Sequence, residues 1–263
     1  MTKSAVSRRI KTSIGILLSS LSGWALANSP QQGMTGITLH NTRVIYPSTA
    51  TSGVTYQLTN NSSVPYLLQA RIQPWESSDS KAKANVPPVP DDNSRAFIAL
   101  PPLQRIDAGE TVTLHLRLKH NDLHPQDRES IAVLALTAIP AEKPEQTAAT
   151  PQIVIAVQNN VKLFYRPAEI QRPDEAVINS QLQFVPTATG ITVKNPGAFY
   201  VTFDRLSVNL HAVDLGNTRM IAPYGEQSWP LTLKNSPRNI EWQVINDKGG
   251  VSDTVYQKQL PER

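Results

Sequence analysis

Residues 152–167 read Q-I-V-I-A-V-Q-N-N-V-K-L-F-Y-R-P, a long run with strong β-forming character. Ile153, Ile155 and Val157 point to one face of an extended strand, because successive side chains alternate between the two faces. The residues between them are also apolar, and Lys162 follows without an acidic neighbour in the run. Such a strand is either buried in a sheet or kept for pairing with another chain, since an exposed apolar edge invites aggregation. Which of the two holds decides what the protein does.

The rest of the chain is also patterned as short strands separated by turn-forming residues. In the first half, alternating or continuous apolar runs occupy residues 54–58, 112–118 and 131–139. In the second half, apolar runs predict strands at residues 182–185, 191–193, 200–203, 206–210, 229–233 and 240–245. Few segments have the spacing of a helix, so the pattern predicts an all-β fold of antiparallel sandwiches.

The length of the chain indicates two domains. The part after residue 27 is long enough for two domains of about 100–120 residues each. We place the boundary where Pro167 and Pro173 flank polar and charged residues. The sequence therefore predicts one domain over 28–167, a linker over 168–172 and a second domain over 173–263.

The first 27 residues have the features of a secretory signal peptide. A cationic start without acids precedes the apolar run 14–21, and A-L-A at 25–27 matches an A-x-A cleavage pattern. We predict that residues 1–27 are removed and that the mature, secreted chain begins at Asn28. No later apolar run reaches the roughly 18–20 residues of a membrane span, so no membrane insertion is expected.

Charge and cysteine content exclude further classes of protein. Four of the 25 Lys and Arg residues lie in the predicted signal peptide, and the remainder balance the 21 Asp and Glu residues. A neutral mature chain lacks the electrostatic footprint of a nucleic-acid binder, so no nucleic-acid partner is expected. The chain contains no cysteine, which excludes disulfides and thiol catalysis.

Six short motifs occur in order along the chain. They are N-T-R-V-I-Y-P at 41–47, P-Y-L-L-Q-A at 65–70, P-P-L-Q-R at 101–105, P-Q-D-R-E-S at 125–130, K-L-F-Y-R-P at 162–167, and I-N-D followed by G-G within 245–250. In this order and spacing the chain resembles the periplasmic pilus-assembly chaperones of the chaperone–usher pathway, the PapD-like family. The resemblance covers residues 37–251, nearly all of the predicted mature chain.

The resemblance implies a fold, a location and a function. It implies two immunoglobulin-like β-sandwich domains in an L-shaped arrangement, in the periplasm. The implied function is to bind and stabilise pilus subunits by donor-strand complementation and to deliver them to an outer-membrane usher. Pilus subunits and the usher are therefore the expected partners, and self-association of the free chaperone is left open. No cofactor or metal is expected.

The resemblance also implies roles for residues of the run 152–167 and for Arg43 in the motif at 41–47. Ile153, Ile155 and Val157 would enter the groove left by the missing strand of a subunit, because they precede Lys162 at the offsets that the family uses. Arg43 and Lys162 match the two cations that bind the C-terminal carboxylate of the subunit. Charge-assisted hydrogen bonds of this kind are roughly twice as strong as neutral ones.

Five further positions bear on domain arrangement and specificity. Glu129, Arg166 and Asp247 match an interdomain charge cluster of the family, whose role is structural and not catalytic. Val133 and Ala135 depart from the family pattern, which usually places an aromatic residue and an asparagine there. This departure leaves the expected fold unchanged and bears on subunit specificity.

Two functions from other classes stay open on the residues alone. A secreted immunoglobulin-like pilus subunit or adhesin would also be all-β, although a subunit would commonly show a disulfide and a detachable N-terminal strand. A periplasmic hydrolase is the enzyme alternative, but the chain lacks G-x-S-x-G, H-E-x-x-H and a phosphate-binding glycine loop. His120 and His124 are too few ligands for a metal site. We therefore expect neither enzyme activity nor a metal site.

Overall fold

The computed structural model of the chain describes residues 36–75, 93–119, 124–141, 155–170, 172–232 and 239–260. The predicted signal peptide lies outside these residues. The described residues form two hydrophobic cores, one drawn from residues between Val44 and Tyr165 and one from residues between Ile178 and Val244. Each core lies between two β-sheets.

The first sandwich contains nine strands in its described part, and a short 3-10 helix (Asn93–Ala96) precedes the fifth. The strands are β1 (Ile37–Leu39), β2 (Arg43–Pro47), β3 (Val54–Asn60), β4 (Tyr66–Pro74), β5 (Phe97–Leu100), β6 (Leu103–Ile106), β7 (Thr111–Leu118), β8 (Ser130–Pro140) and β9 (Val157–Arg166). One sheet has the order β1-β3-β7-β5, and the other has the order β2-β9-β8-β4-β6. The pair formed by β2 and β9 is parallel, and β8 pairs with both β4 and β9 in antiparallel register.

The alternation of apolar residues decides which side chains form the first core. Val112, Leu114 and Leu116 of β7 are buried, because they occupy every second position of the strand and face the opposite sheet. Strand β8 differs, since residues 131–136 are buried on both of its faces. This burial fits the continuous apolar run over 131–139, apart from Ile139 near its end, which is 36% exposed.

The second sandwich contains one short helix and eight strands among its described residues. These elements are α1 (Glu175–Ser180), β10 (Gln183–Thr187), β11 (Gly190–Lys194), β12 (Val201–Val208), β13 (His211–Ala212), β14 (Met220–Ile221), β15 (Glu226–Pro230), β16 (Asn239–Val244) and β17 (Tyr256–Gln259). One sheet has the order β10-β11-β15, and the other has the order β13-β12-β16-β17, with β14 also paired to β12. Phe203 and Trp229 come from opposite sheets and meet edge to face, with 5.7 Å between ring centroids.

Two strands of the second sandwich differ from the sequence prediction. The strands predicted at 200–203 and 206–210 are the single strand β12, because a β-bulge between Phe203 and Arg205 shifts its register against β16 without ending the pairing. Strand β15 begins and ends earlier than the predicted 229–233. It stops at Pro230, because Pro230 pairs with Gly190, the first residue of its partner strand β11.

The observed architecture is all-β, with two immunoglobulin-like β-sandwiches, as predicted. Within the described ranges, no helix has the length and apolar character needed to span a bilayer. The predicted linker 168–172 follows β9, and its bounds stay a prediction.

Candidate functional site

Strand β9 is only partly enclosed by its own sheet. It pairs with β8 along nearly its whole length, whereas its pairing with β2 extends only from Lys162 to Arg166. Strand β2 begins at Arg43, and the preceding strand β1 belongs to the opposite sheet. Among the residues that the structure describes, 157–161 therefore have a neighbouring strand on one side only. This segment is called the open edge (157–161) below.

The apolar side chains at the start of β9 face solvent. Ile155 is 68% exposed and Val157 is 52% exposed. By alternation, Val157 lies on the same face as Val161 and Leu163, which are buried in the first core. Asn159 separates Val157 from the buried part of this row, so Val157 is an apolar side chain beyond the covered part of the sandwich. Ile153, the third residue of the predicted donor set, lies outside the described residues.

Arg43 and Lys162 meet at the end of the open edge. They are direct partners in the parallel register of β2 and β9. The Arg43 guanidinium lies 5.4 Å from the centroid of the Phe164 ring, and the Lys162 ammonium lies 5.3 Å from the centroid of the Trp75 ring. Both distances fall in the cation–π range. The fold thus places two cations side by side that are far apart in the sequence.

Neither cation forms an ion pair with any described residue. Arg43 is 9% exposed; its Nη1 donates to the carbonyl oxygen of Ile245 at 3.2 Å, and its buried Nε has no partner in the described part. Burial lowers the pKa of Lys162 to about 8, and the charge of Arg43 contributes to this shift. Burial also lowers the pKa of Arg43, although nearby carboxylates oppose the shift. Two partly desolvated cations on neighbouring strands favour binding of an anion.

A cavity of about 560 Å³ opens beside Lys162. Its described lining residues are Gln73, Pro74, Trp75, Val133 and Asn160. Gln73, Val133 and Lys162 occupy one row across the sheet. Val133 and Ala135 are 6% and 2% exposed and alternate with the core residues of β8. The two departures from the family pattern therefore lie on the face of the sheet opposite the core, next to this cavity.

Glu129, Arg166 and Asp247 form a network between the two sandwiches. Arg166 Nε donates to Glu129 Oε1 at 2.8 Å, and both terminal nitrogens of Arg166 donate to Asp247 Oδ2 at 3.1 Å. Glu129 is 3% exposed, and its second oxygen accepts the N–H of Tyr200 at 2.9 Å. Arg172, which no motif predicted, adds a contact from its Nε to Asp247 Oδ2 at 3.2 Å.

Two further contacts were not predicted from the sequence. Thr42 Oγ1 donates to the carbonyl oxygen of Gly249 in the second sandwich at 3.0 Å. His124 is 5% exposed; its ring stacks on Tyr165 at 4.0 Å between centroids, and its Nδ1 lies 2.7 Å from Ser130 Oγ. Short motifs mark some of these residues, but only the fold shows which of them touch.

Two family models match the chain. The model described as pili and flagellar-assembly chaperone, PapD N-terminal domain, matches residues 36–171. The model described as pili assembly chaperone PapD, C-terminal domain, matches residues 178–256. The two matches cover most of the chain and both of its sandwiches.

Proteins similar to this chain are named as chaperones. The probable fimbrial chaperone YehC of Escherichia coli K12 is 33% identical over 221 residues, which cover 84% of this chain and 86% of that protein. The chaperone protein PsaB of Yersinia pestis is 29% identical over 237 residues, which cover 82% of this chain and 81% of that protein. Among solved structures, the Salmonella enterica SafA pilin in complex with the SafB chaperone matches with a TM-score of 0.68 at 25% identity, covering 87% of this chain and 98% of the matched chain.

These similarities extend over both sandwiches and more than 80% of the chain. They confirm the resemblance that the ordered motifs indicate. They do not favour the alternative of a structural pilus subunit or adhesin. The chain therefore belongs to the PapD-like family, the periplasmic chaperones of pilus assembly.

Proposed function

We propose that this chaperone uses the start of β9 to complete the unfinished sheet of a pilus subunit. Ile153, Ile155 and Val157 fill alternate pockets of the subunit, while the backbone of the open edge (157–161) pairs with a subunit strand. The exposure of Ile155 and Val157, and the missing neighbour along the open edge, support this role. Burial of each aliphatic side chain contributes roughly 1.5–3 kcal/mol, from which the costs of association are subtracted.

Arg43 and Lys162 bind the C-terminal carboxylate of the subunit, and the pair is called the carboxylate anchor below. The single observation that carries the proposal is the position of these two partly desolvated cations, which have no ion-pair partner in the described part of the chain, directly at the end of the open edge. A carboxylate bound there sets the register of the added strand, so that each side chain meets its own pocket. The cavity beside Lys162 offers room for the last residues of the subunit.

The charge cluster of Glu129, Arg166 and Asp247 keeps the two domains in one orientation, with the linker at 168–172. Its contacts across the two sandwiches support this role. The loaded chaperone delivers the subunit to the outer-membrane usher, the partner that the family implies. No catalytic step is part of the proposal, and a broad hydrolase screen of the purified protein checks this point.

Co-expression with candidate pilus subunits tests the proposal directly. A tagged wild-type chaperone is expected to retain a soluble one-to-one complex, whereas Arg43→Ala and Lys162→Ala fold normally and retain none. Lys194→Ala is the matched control, because Lys194 is a half-exposed lysine on a strand of the second sandwich. Undiminished complex yield from both anchor variants would refute the carboxylate anchor.

A further inference from the structure

The carboxylate anchor of the first sandwich is held from the second. Within the described ranges, the one hydrogen bond of the Arg43 guanidinium is the 3.2 Å contact to the Ile245 carbonyl. The neighbouring residue, Thr42, donates from Oγ1 to the Gly249 carbonyl at 3.0 Å. Both acceptors belong to one short segment, which is called the interdomain turn (245–250) below. The turn therefore contacts the side chain of Arg43 and also Thr42, the residue before Arg43.

The interdomain turn (245–250) is closed by its own hydrogen bonds. The N–H of Asn246 donates to the Gly250 carbonyl at 2.8 Å, and the N–H of Gly249 donates to the Asn246 carbonyl at 2.9 Å. Asn246 Oδ1 accepts the N–H of Lys248 at 3.0 Å and the N–H of Gly250 at 3.2 Å. Because these groups satisfy one another, the turn presents the two outward carbonyls in fixed positions.

Gly249 approaches Thr42 so closely that no side chain fits between them. Gly249 has φ +83°, a conformation that favours glycine. A Cβ on Gly249 would collide with Thr42 Oγ1 and lie 3.1 Å from the backbone nitrogen of Thr42. A Cβ on the next residue, Gly250, would meet only the Asn246 side chain, at 3.9 Å. Gly250 is thus a neighbouring control for loss of a glycine in the turn, while substitutions of Thr42 test the contact without changing the backbone at Gly249.

We propose that the interdomain turn (245–250) positions the Arg43 guanidinium for the carboxylate of a bound subunit. This inference rests on the proposed function of the carboxylate anchor. The guanidinium is planar, and its donors have a fixed fork geometry, so orienting one nitrogen orients the others. With Nη1 on the Ile245 carbonyl and the plane near Phe164, the remaining N–H groups have one preferred direction. A cation ordered in this way before binding loses little side-chain entropy when the carboxylate arrives.

The test compares two synthetic peptides on the full-length chaperone. Both are acetylated strands of alternating valine and threonine; one ends in a free carboxylate and the other in a carboxamide. Wild-type chaperone is expected to bind the carboxylate form about tenfold more tightly, the effect of a hydrogen-bonded charge. Gly249→Ala should bind the two peptides almost equally, because its side chain displaces Thr42 and the turn. Gly250→Ala should keep the wild-type preference.

If Gly249→Ala does not fold, two substitutions of Thr42 test the same contact. Thr42→Val removes the hydroxyl that donates to Gly249 and should lose the preference, and Thr42→Ser should restore it. If Gly249→Ala and Thr42→Val both keep the full preference, the positioning role is wrong and the carboxylate anchor stands. An equal loss of affinity for both peptides also overturns the positioning role, because it reports general damage. A wild-type chaperone that does not distinguish the peptides overturns the carboxylate anchor itself.

Discussion

At the scale of single residues, Lys162 is a partly buried cation that forms no ion pair with any residue the structure describes. Burial and the neighbouring Arg43 lower its pKa from 10.5 to about 8 in the free chaperone. A bound carboxylate favours the charged form and raises that pKa again, so binding takes up a proton. The contribution to affinity that we propose for Lys162 should therefore be complete below the free-state pKa and be lost as the pH rises through the higher pKa of the complex.

Subunit binding should consequently weaken in mild alkali. We expect the affinity for the carboxylate-ended peptide to be constant below about pH 8 and to fall above it. Lys162→Arg is the matched control, because its guanidinium stays charged and should remove the dependence on pH over this range. Titrations of both proteins between about pH 7 and pH 10 measure the difference. Equal pH profiles for the two proteins would contradict the role of Lys162.

His124 predicts how the first sandwich responds to acid. Burial lowers the pKa of His124 to about 4, so the folded chain binds this proton less tightly than the unfolded chain. The stability that the neutral ring contributes is present above the unfolded pKa of 6.5 and is lost as the pH falls toward about 4. The expected loss is at most about 1.4 kcal/mol for each pH unit.

A phenylalanine at position 124 keeps an aromatic ring beside Tyr165 but cannot take up a proton. His124→Phe should therefore show a shallower loss of stability between pH 6.5 and 4 than the wild-type chain. Urea denaturation over this range measures the slope. The exposed His115 on β7 provides the control, and His115→Phe should leave the slope as in wild type. Identical slopes for wild type and His124→Phe would rule out His124 as the acid-sensitive group.

At the scale of elements, β2 creates the open edge (157–161) as much as β9 does. Strand β2 starts at Arg43, and the chain before it crosses to the other sheet as β1. Pairing of β9 with β2 therefore ends at Lys162, while β9 itself continues back to Val157. A strand without a neighbour on one side offers its backbone to another chain.

Exposed apolar residues at the start of β9 should matter for binding and not for folding. Ile155 and Val157 are 68% and 52% exposed, so Ile155→Ser and Val157→Ser should change the free energy of unfolding by less than about 0.5 kcal/mol. Each substitution should weaken subunit binding by about tenfold or more, because a buried aliphatic contact is lost. Leu210→Ser, at an 82% exposed position of the second sandwich, should change neither quantity.

Denaturation curves and subunit pull-downs on the same protein preparations measure both effects. A loss of stability equal to that of a core substitution would show that the start of β9 is covered in the free chaperone. Undiminished subunit recovery would show that these side chains do not enter the subunit.

At the scale of the whole molecule, the two sandwiches share a buried ion network. Burial raises the pKa of Glu129, and the opposing effects of Arg166 and of the Tyr200 N–H favour its charged form. Removing one partner from such a network leaves an uncompensated charge behind. We therefore expect the network to link the stability of the two domains, whatever its own net contribution.

Glu129→Ala should destabilise the chaperone and loosen its two domains. We expect the free energy of unfolding to fall by about 2–4 kcal/mol, since Arg166 keeps only its more exposed partner, Asp247. Thermal denaturation measures the loss, and small-angle scattering reports a broader range of domain arrangements. Arg105→Ala is the control. The side chains of Arg105 and its ion-pair partner Asp107 are 64% and 66% exposed, so this ion pair should contribute little to stability. An unchanged melting temperature and scattering profile for Glu129→Ala would count against the role of the network.

The local pattern of the chain was sufficient to predict the class of fold. Alternation over 112–118 and the continuous run over 131–139 mark strands β7 and β8, because side-chain period and burial are properties of neighbouring residues. The ordered motifs also indicated the family. Local pattern failed where pairing decided the outcome: a bulge joins two predicted strands into β12, and β15 ends where its partner β11 begins.

The sequence by itself determined strand character, the division into two sandwiches and the identity of the charged residues in the motifs. The tertiary structure alone decided that 157–161 pair on one side only within the described part of the chain, that Arg43 and Lys162 lie side by side, and that Gly249 contacts Thr42. The physical reason is that strand propensity is encoded in adjacent residues. Desolvation and pairing instead depend on which distant segments the fold brings together, and no local pattern contains that information.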